Sequence, residues 1–261
     1  MKRQVERTVI SGRRVDLGVY VNADDIAREL LSKHELDLAT FRIKAERASF
    51  LEFANRSGLL TGRLAKGQFK RSHRMRGSIF ILLRADLAEH FAQLLAAYLC
   101  DRLIAQQVKF SFETVFSHAS KIEFMRRAKE KGYKVYLYYI CTNAPEINVD
   151  RVKSRVRSGG HAVPATKIKA RYRKSLEQLL PAIEYCYHAF MFDNTNSPIG
   201  ASPEPVMFAE MKRVKNAEWW GWSPEKTPDW FLRDFLLPSP DPIKRHMADQ
   251  VFEVRDAGHG Q

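Results

Sequence analysis

The sequence has little that would fasten it covalently or anchor it in a membrane. Its three cysteines, Cys100, Cys141 and Cys186, lie far apart and form no Cys-x-x-Cys pair. That spacing argues against a disulfide framework and against a structural zinc site. Cys141 and Cys186 fall at or near expected buried strands, where a thiol acts as a small apolar side chain. No apolar run is long enough to cross a bilayer. The opening Met-Lys-Arg-Gln-Val-Glu-Arg lacks the apolar core of a secretory signal, so a cytoplasmic location is expected. Acidic residues are in deficit: 30 Asp and Glu stand against 43 Lys and Arg, a formal charge of +13. Such a balance favours an anionic partner, whether nucleotide, nucleotide sugar or nucleic-acid backbone. A coat of solvated basic helices would give the same figure, and charge alone does not choose.

What remains is ordinary for a globular chain. With 261 residues, 45% of them hydrophobic, there is enough for one α/β domain, or one domain with additions. Gly18 to Asn22 reads as a short buried strand and Ala23 to Ser32 as the helix after it. Leu38 to Arg56 carries apolar residues at helical spacing. Thr61 to Gly77 reads as a basic, glycine-containing loop, with Arg63, Lys66, Lys70, Arg71, Arg74 and Arg76. A helix from about Ala85 to Gln107 leads to the strand Val108 to Phe112, which ends at Glu113. Lys121 to Lys131 is expected as a helix stopped by Gly132. Tyr133 to Ile140, rich in aromatic and β-branched residues, is the strongest strand signal. Helices over Ile147 to Arg157 and from Pro164 to about Tyr187 follow, then strands at Ala189 to Phe192 and Pro205 to Met211. Strands alternating with helices argue for a mostly parallel sheet covered on both faces. From Ala217 onward Trp219, Trp220, Trp222 and Trp230 stand among prolines. This stretch is expected to dock through its aromatics and to fray after about Ala248.

Ligands of open parallel sheets bind outside the carboxyl ends of the strands. Three such ends carry polar groups: Asn22 to Asp25, Glu113 to His118, and Asp193 to Asn194. A carboxylate there accepts a substrate hydroxyl's proton or orients a metal-bound water. Equally, Asp24 caps its helix and Glu113 binds backbone amides. Arg151 and Arg155 are one helical turn apart, Gly159-Gly160 offers a flexible link suited to a closing lid before His161, and Arg171 and Arg173 follow on the next helix. Converging arginines suit phosphate oxygens; a solvated basic face is the plainer reading of the same run. The expectation is that Asp24, Glu113 and Arg155 face a common hollow.

Several runs, taken in order, resemble the zeta toxin family of P-loop kinases: Tyr20-Val-Asn-Ala-Asp-Asp-Ile-Ala27, Ser111-Phe-Glu-Thr-Val115, Lys131-Gly-Tyr133, Pro145-Glu-Ile-Asn148, Arg155-Val-Arg-Ser-Gly-Gly-His161, Val163-Pro164, Arg171-Tyr-Arg173 and Phe192-Asp-Asn194. The likeness covers roughly residues 18 to 195 and is interrupted by the basic segment. Some members phosphorylate UDP-N-acetylglucosamine. The resemblance implies a three-layer P-loop kinase-like sheet with helices on both faces, ATP and Mg2+ as cofactors, and an antitoxin-like protein as a partner class. It makes Asp24 the general base, and Glu113 and Thr114 the holders of the acceptor, with Arg151 and Arg171 beside it. Arg155 matches the first lid arginine, His161 falls where a second arginine stands, and Asp193 and Asn194 lie near the adenine edge. A kinase domain over 1–216 is expected, with 61–77 as a basic loop insertion and 217–261 as a Trp/Pro-rich tail.

The glycine-rich cradle of such kinases, Gly-x-x-x-x-Gly-Lys-Ser/Thr, is not in the sequence. Ser11 to Gly18 has two glycines and no following lysine, and Lys66-Gly-Gln-Phe-Lys70 is no closer. The first strand and cradle are thus either truncated, the favoured expectation, or replaced in a variant that no longer holds ATP in the usual way. Losing the lysine, amides and metal-side hydroxyl removes contacts each worth about 3 kcal/mol in a transition state. Three functions follow: a phosphotransferase module for a nucleotide sugar or other small molecule, an inactive homologue that binds a nucleotide sugar or an antitoxin-like protein, and nucleic-acid binding through Arg63 to Arg76. The last is ranked lowest, because Phe69 is the only aromatic residue in that stretch.

Overall fold

The computed structural model describes residues 9–10, 13–14, 16–160, 162–196, 204–215 and 217–258. Within it the chain separates into two units, Met1–Thr114 and Val115–Gln261. Both mix helices with sheets, so the fold is α/β. Among the described residues no helix is long and apolar enough to cross a membrane.

In the first unit, the strand Val19–Asn22 pairs in parallel with Phe110–Glu113. Gly18 permits that pairing. Its φ is +63°, and a β-carbon there would lie 2.3 Å from the Lys109 carbonyl oxygen, the same oxygen that accepts from Val19 N at 3.0 Å. Alternation places Val19 and Val21 on a buried face and Tyr20 and Asn22 on the other. The helices Ala23–Lys33 and Ala88–Ala105 pack against each other, burying Ile26 and Leu30 from one and Phe91, Leu95 and Leu99 from the other. The helical spacing over Leu38 to Arg56 resolves into a 3-10 turn, Leu38–Phe41, and a helix, Arg47–Arg56. Arg42 breaks them apart at a φ of 58°.

The segment read as a basic loop is folded. It forms a 3-10 turn at Gly62–Leu64, a helix at Lys66–Arg71 and a strand at His73–Arg76. That strand joins a three-stranded antiparallel sheet with Ile79–Leu82 at its centre and Glu35–Asp37 on the far side. The reason is apolar anchoring: Leu64, Phe69 and His73 are buried while the cations between them are not. The His73 ring stacks on Phe80, 5.4 Å away at 7°, and lies 4.4 Å from Phe69. Charge density in the sequence hid a segment pinned at three points.

The second unit holds a four-stranded sheet in the order Ala217–Trp222, Val206–Val214, His188–Asp193, Tyr136–Cys141. Tyr136–Cys141 and His188–Asp193 are parallel, and the other two pairings are antiparallel. The expectation of a mostly parallel sheet is therefore met in part: each unit contributes one parallel pair, and the remaining pairings among the described residues are antiparallel. Short connections account for the hairpins of His73–Arg76 with Ile79–Leu82 and of Val206–Val214 with Ala217–Trp222, since parallel neighbours need a long crossover. One sheet face is buried through Tyr139, Met191, Met211 and Trp220, in a core shared with Leu179, Trp230, Phe231 and Val251. All three cysteines are free and buried, and burial pushes the Cys141 and Cys186 thiols up to about 12. The last helix, Pro242–Gly258, continues past the point where fraying was expected, because Met247, Ala248 and Val251 are buried.

Candidate functional site

At the carboxyl end of the parallel pair in the first unit, Asn22 stands opposite Glu113 and Tyr20 opposite Ser111. These four side chains share one face of the pair. The Tyr20 hydroxyl donates to Glu113 Oε2 at 2.5 Å. Asn22 Nδ2 reaches both, at 3.1 Å to the Tyr20 oxygen and 3.3 Å to Glu113 Oε2. Burial, reinforced by the Glu113 carboxylate, holds the Tyr20 phenol well above its ordinary pKa, so it remains a proton donor. Ser111 Oγ is buried on this face without a hydrogen-bond partner. The result is a carboxylate with one oxygen fixed by two donors.

Asn22 has a second task. Its Oδ1 accepts from Asp24 N at 2.7 Å, capping the helix Ala23–Lys33. The cap is thus Asn22, and the Asp24 side chain is left exposed in the first turn, where the helix dipole favours its charge. Thr114 follows Glu113, half-buried.

Three expected residues of the second unit, Arg151, Asp193 and Asn194, meet at the carboxyl ends of its own parallel pair. Arg151, on the helix Pro145–Arg157, donates to the Asn194 carbonyl at 2.6 Å. Burial lowers its pKa, and Asp193 works in the opposite direction. Asn194 N donates to the Cys141 carbonyl at 2.8 Å. Asp193 accepts from Thr195 Oγ1 at 2.7 Å, from Thr195 N at 3.2 Å and from Trp230 Nε1 at 3.1 Å. Trp230 is fully buried, and its backbone N–H is held by Asn143 Oδ1 at 3.3 Å.

Arg155 is exposed and Arg171 half-buried on the helix Ala165–Ile183. His161 lies outside the described residues. The glycine pair before it is a helix stop. Gly159, at φ +84°, donates to Val156 O at 3.0 Å, and Gly160 to Arg155 O at 2.9 Å. Those two bonds satisfy the last carbonyls of the helix in a Schellman arrangement. A β-carbon on Gly160 would lie 2.6 Å from Arg155 Cγ.

Two residues have roles here that sequence alone did not assign. Tyr20 had a signal, because it alternates with Asn22 on one strand. Trp230 was expected to dock through its ring, but nothing in the sequence paired it with Asp193, 37 residues away.

The model of the zeta toxin family matches residues 69–189, fewer than half of the chain. Glu113, Thr114, Arg151, Arg155 and Arg171 fall inside that span, while Asp24, Asp193 and Asn194 fall outside it. An uncharacterized protein of Haemophilus influenzae is 45% identical over 69 residues, which are 26% of this chain and 49% of that relative. The chain thus spans about half the length of the curated relative it matches. No solved structure matches.

Proposed function

We propose that this chain is a zeta-toxin-like phosphotransferase module whose residues serve the acceptor, a hydroxyl-bearing nucleotide sugar or comparable small molecule. The observation that carries this reading is the Tyr20–Asn22–Glu113 cluster at the ends of two parallel strands. Within the first unit, Glu113 and Thr114 hold the acceptor and the exposed Asp24 carboxylate takes the proton of its hydroxyl; in the second unit, family likeness assigns Arg155 and His161 to phosphate charge and Arg151 and Arg171 to the acceptor. The sheets belong, in this reading, to a three-layer P-loop kinase architecture over 1–216, to which 217–261, expected as a tail, adds the edge strand Ala217–Trp222 and the helix Pro242–Gly258.

ATP and Mg2+ are the donor and metal that family likeness implies, and the residues present do not fit them. Asp193, expected near the adenine edge, is engaged by Thr195 and by the buried Trp230. Both backbone groups of Asn194 are also engaged. The sequence has no cradle for the phosphates.

That misfit favours a second reading, in which the chain binds a nucleotide sugar or an antitoxin-like protein without transferring phosphate. One experiment separates the two. Purified protein is incubated with ATP labelled at its terminal phosphate and a panel of nucleotide sugars, with calorimetry for each. Label transfer supports the phosphotransferase; sugar-nucleotide heat without transfer supports the binding homologue. Absence of both for every acceptor rejects the acceptor-site reading.

A further inference from the structure

The basic helix–strand segment of the first unit, Lys66 to Arg76, takes no part in the acceptor-site reading. Between Lys66 and Arg76 there is no acidic residue, and Lys66, Lys70, Arg71, Arg74 and Arg76 are all exposed. Among the described residues none of the five makes an ion pair. Other cations of the same unit do, among them Arg28 with Asp25, Lys33 with Glu29, Arg56 with Asp101, and both Arg63 and Arg84 with Asp86. The array is therefore uncompensated by ion pairs among the described residues.

It is also held in place. Lys66 and Lys70 are one turn apart on the helix Lys66–Arg71 and share a face. Arg74 and Arg76 alternate with His73 and Met75 on the strand, so they project to one side of the sheet. Phe69, from the helix, and His73, from the strand, pack together in the aromatic core. The nearest acids across the sheet are Glu35 and Asp37, separated from Arg74 and Arg76 by the central strand. Two strand spacings, roughly 10 Å, keep them out of ion-pair range. Asp37 is already bonded by Ser78 and by Ala39 N. His73 adds no charge: its burial disfavours protonation.

We propose that this array binds the phosphodiester backbone of a nucleic-acid duplex, independently of sequence. Five fixed cations lie on a segment at most about 25 Å long. A duplex offers one negative charge per roughly 1.7 Å of axis, so phosphates are available along the whole of that length. The scarcity of aromatic residues, which placed nucleic acid last on sequence grounds, bears on single strands, whose bases stack on aromatic platforms. Phe69, the one aromatic in the stretch, is buried. A backbone reader of duplex needs no such platform.

The test is fluorescence anisotropy of the full chain with a labelled duplex of about 20 base pairs, titrated between about 50 and about 200 mM salt. With five contacts at about −0.9 each, the expected slope of log K against log salt is about −4.5, a loss of roughly 500-fold over that range. The double variant Lys70→Gln/Arg74→Gln should flatten the slope to about −2.7 and weaken low-salt binding at least tenfold or so. Lys212→Gln/Lys226→Gln, equal in charge but in the other unit, should leave the slope unchanged. Melting curves of each variant verify folding. If the first pair lowers the melting temperature, Arg71→Gln/Arg76→Gln supplies the same reading. No saturable low-salt binding would overturn the proposal. So would a slope indifferent to the array, or displacement of the duplex by polyglutamate of equal charge, which would mark the array as a reader of acidic protein.

Discussion

The indole Nε1 of Trp230 donates to Asp193 Oδ1 at 3.1 Å, tying the C-terminal segment to the end of a central strand. Asp193 is a strand-end carboxylate of the kind that receives ligands in parallel sheets. Here it receives a tryptophan instead. The ring is fully buried against Tyr139, Phe208 and Phe231, so the contact belongs to the core of the second unit. Trp230→Phe keeps most of the packing and leaves the carboxylate short of one donor. The expected loss is about 2 kcal/mol in chemical denaturation. Trp230→Ala, which also opens a cavity, should cost about 4 kcal/mol.

Tyr20→Phe removes the donor at 2.5 Å from Glu113 while Asn22 remains. The cluster is only part-buried, so the expected stability loss is about 1 kcal/mol by thermal or urea unfolding. If the acceptor binds here, the same variant weakens its calorimetric affinity by more than that stability change explains. Equal affinity in Tyr20→Phe and the unaltered chain would remove Tyr20 from the site.

Gly160→Ala drives a β-carbon to 2.6 Å from Arg155 Cγ and 2.9 Å from Arg155 O. The cap must open. Amide exchange at the end of the helix Pro145–Arg157 should accelerate, and Gly159→Ala, strained at φ +84°, should cost about 1 kcal/mol. Unchanged exchange in both variants would show that the glycines serve as a hinge and not as a stop.

His73 gives the first unit a pH dependence. Burial lowers its pKa from the ordinary 6.5, with the hydrogen bond to the Phe69 carbonyl opposing and Arg47 adding to the fall. The unfolded chain therefore binds this proton more readily than the folded one. Its contribution is complete above 6.5 and is lost as pH falls below that value towards the folded pKa. Melting temperatures across that window should decline more steeply for the unaltered chain than for His73→Phe. Parallel curves would exclude His73 as the cause.

Much of this architecture was legible from local signals. Val19 and Val21 alternate with Tyr20 and Asn22, and that period of two made a strand with a polar edge readable. Gly132 stopping a helix and Pro164 leading into one were readable for the same reason, since each acts through its own backbone angles. The basic segment misled because its anchors, Leu64, Phe69 and His73, are few among many cations. Their burial depends on Phe50, Phe80 and Phe91, which no window of sequence places beside them. The glycine pair at 159–160 misled differently: a glycine that ends a helix and one that frees a hinge are the same letter.

By itself, the sequence determined most of the longer helices and the strands of the two parallel pairs, how much positive charge the chain carries, and that no phosphate cradle is written in it. These follow from spacing and composition, which act over a turn or a strand. Only the tertiary structure decided how those pieces are used. It gave Asp193 to Trp230, Glu113 to Tyr20 and Asn22, and left five cations without an ion pair among the described residues. Hydrogen bonds and ion pairs are settled by distance in space, and residues far apart in sequence become neighbours only once the core has formed.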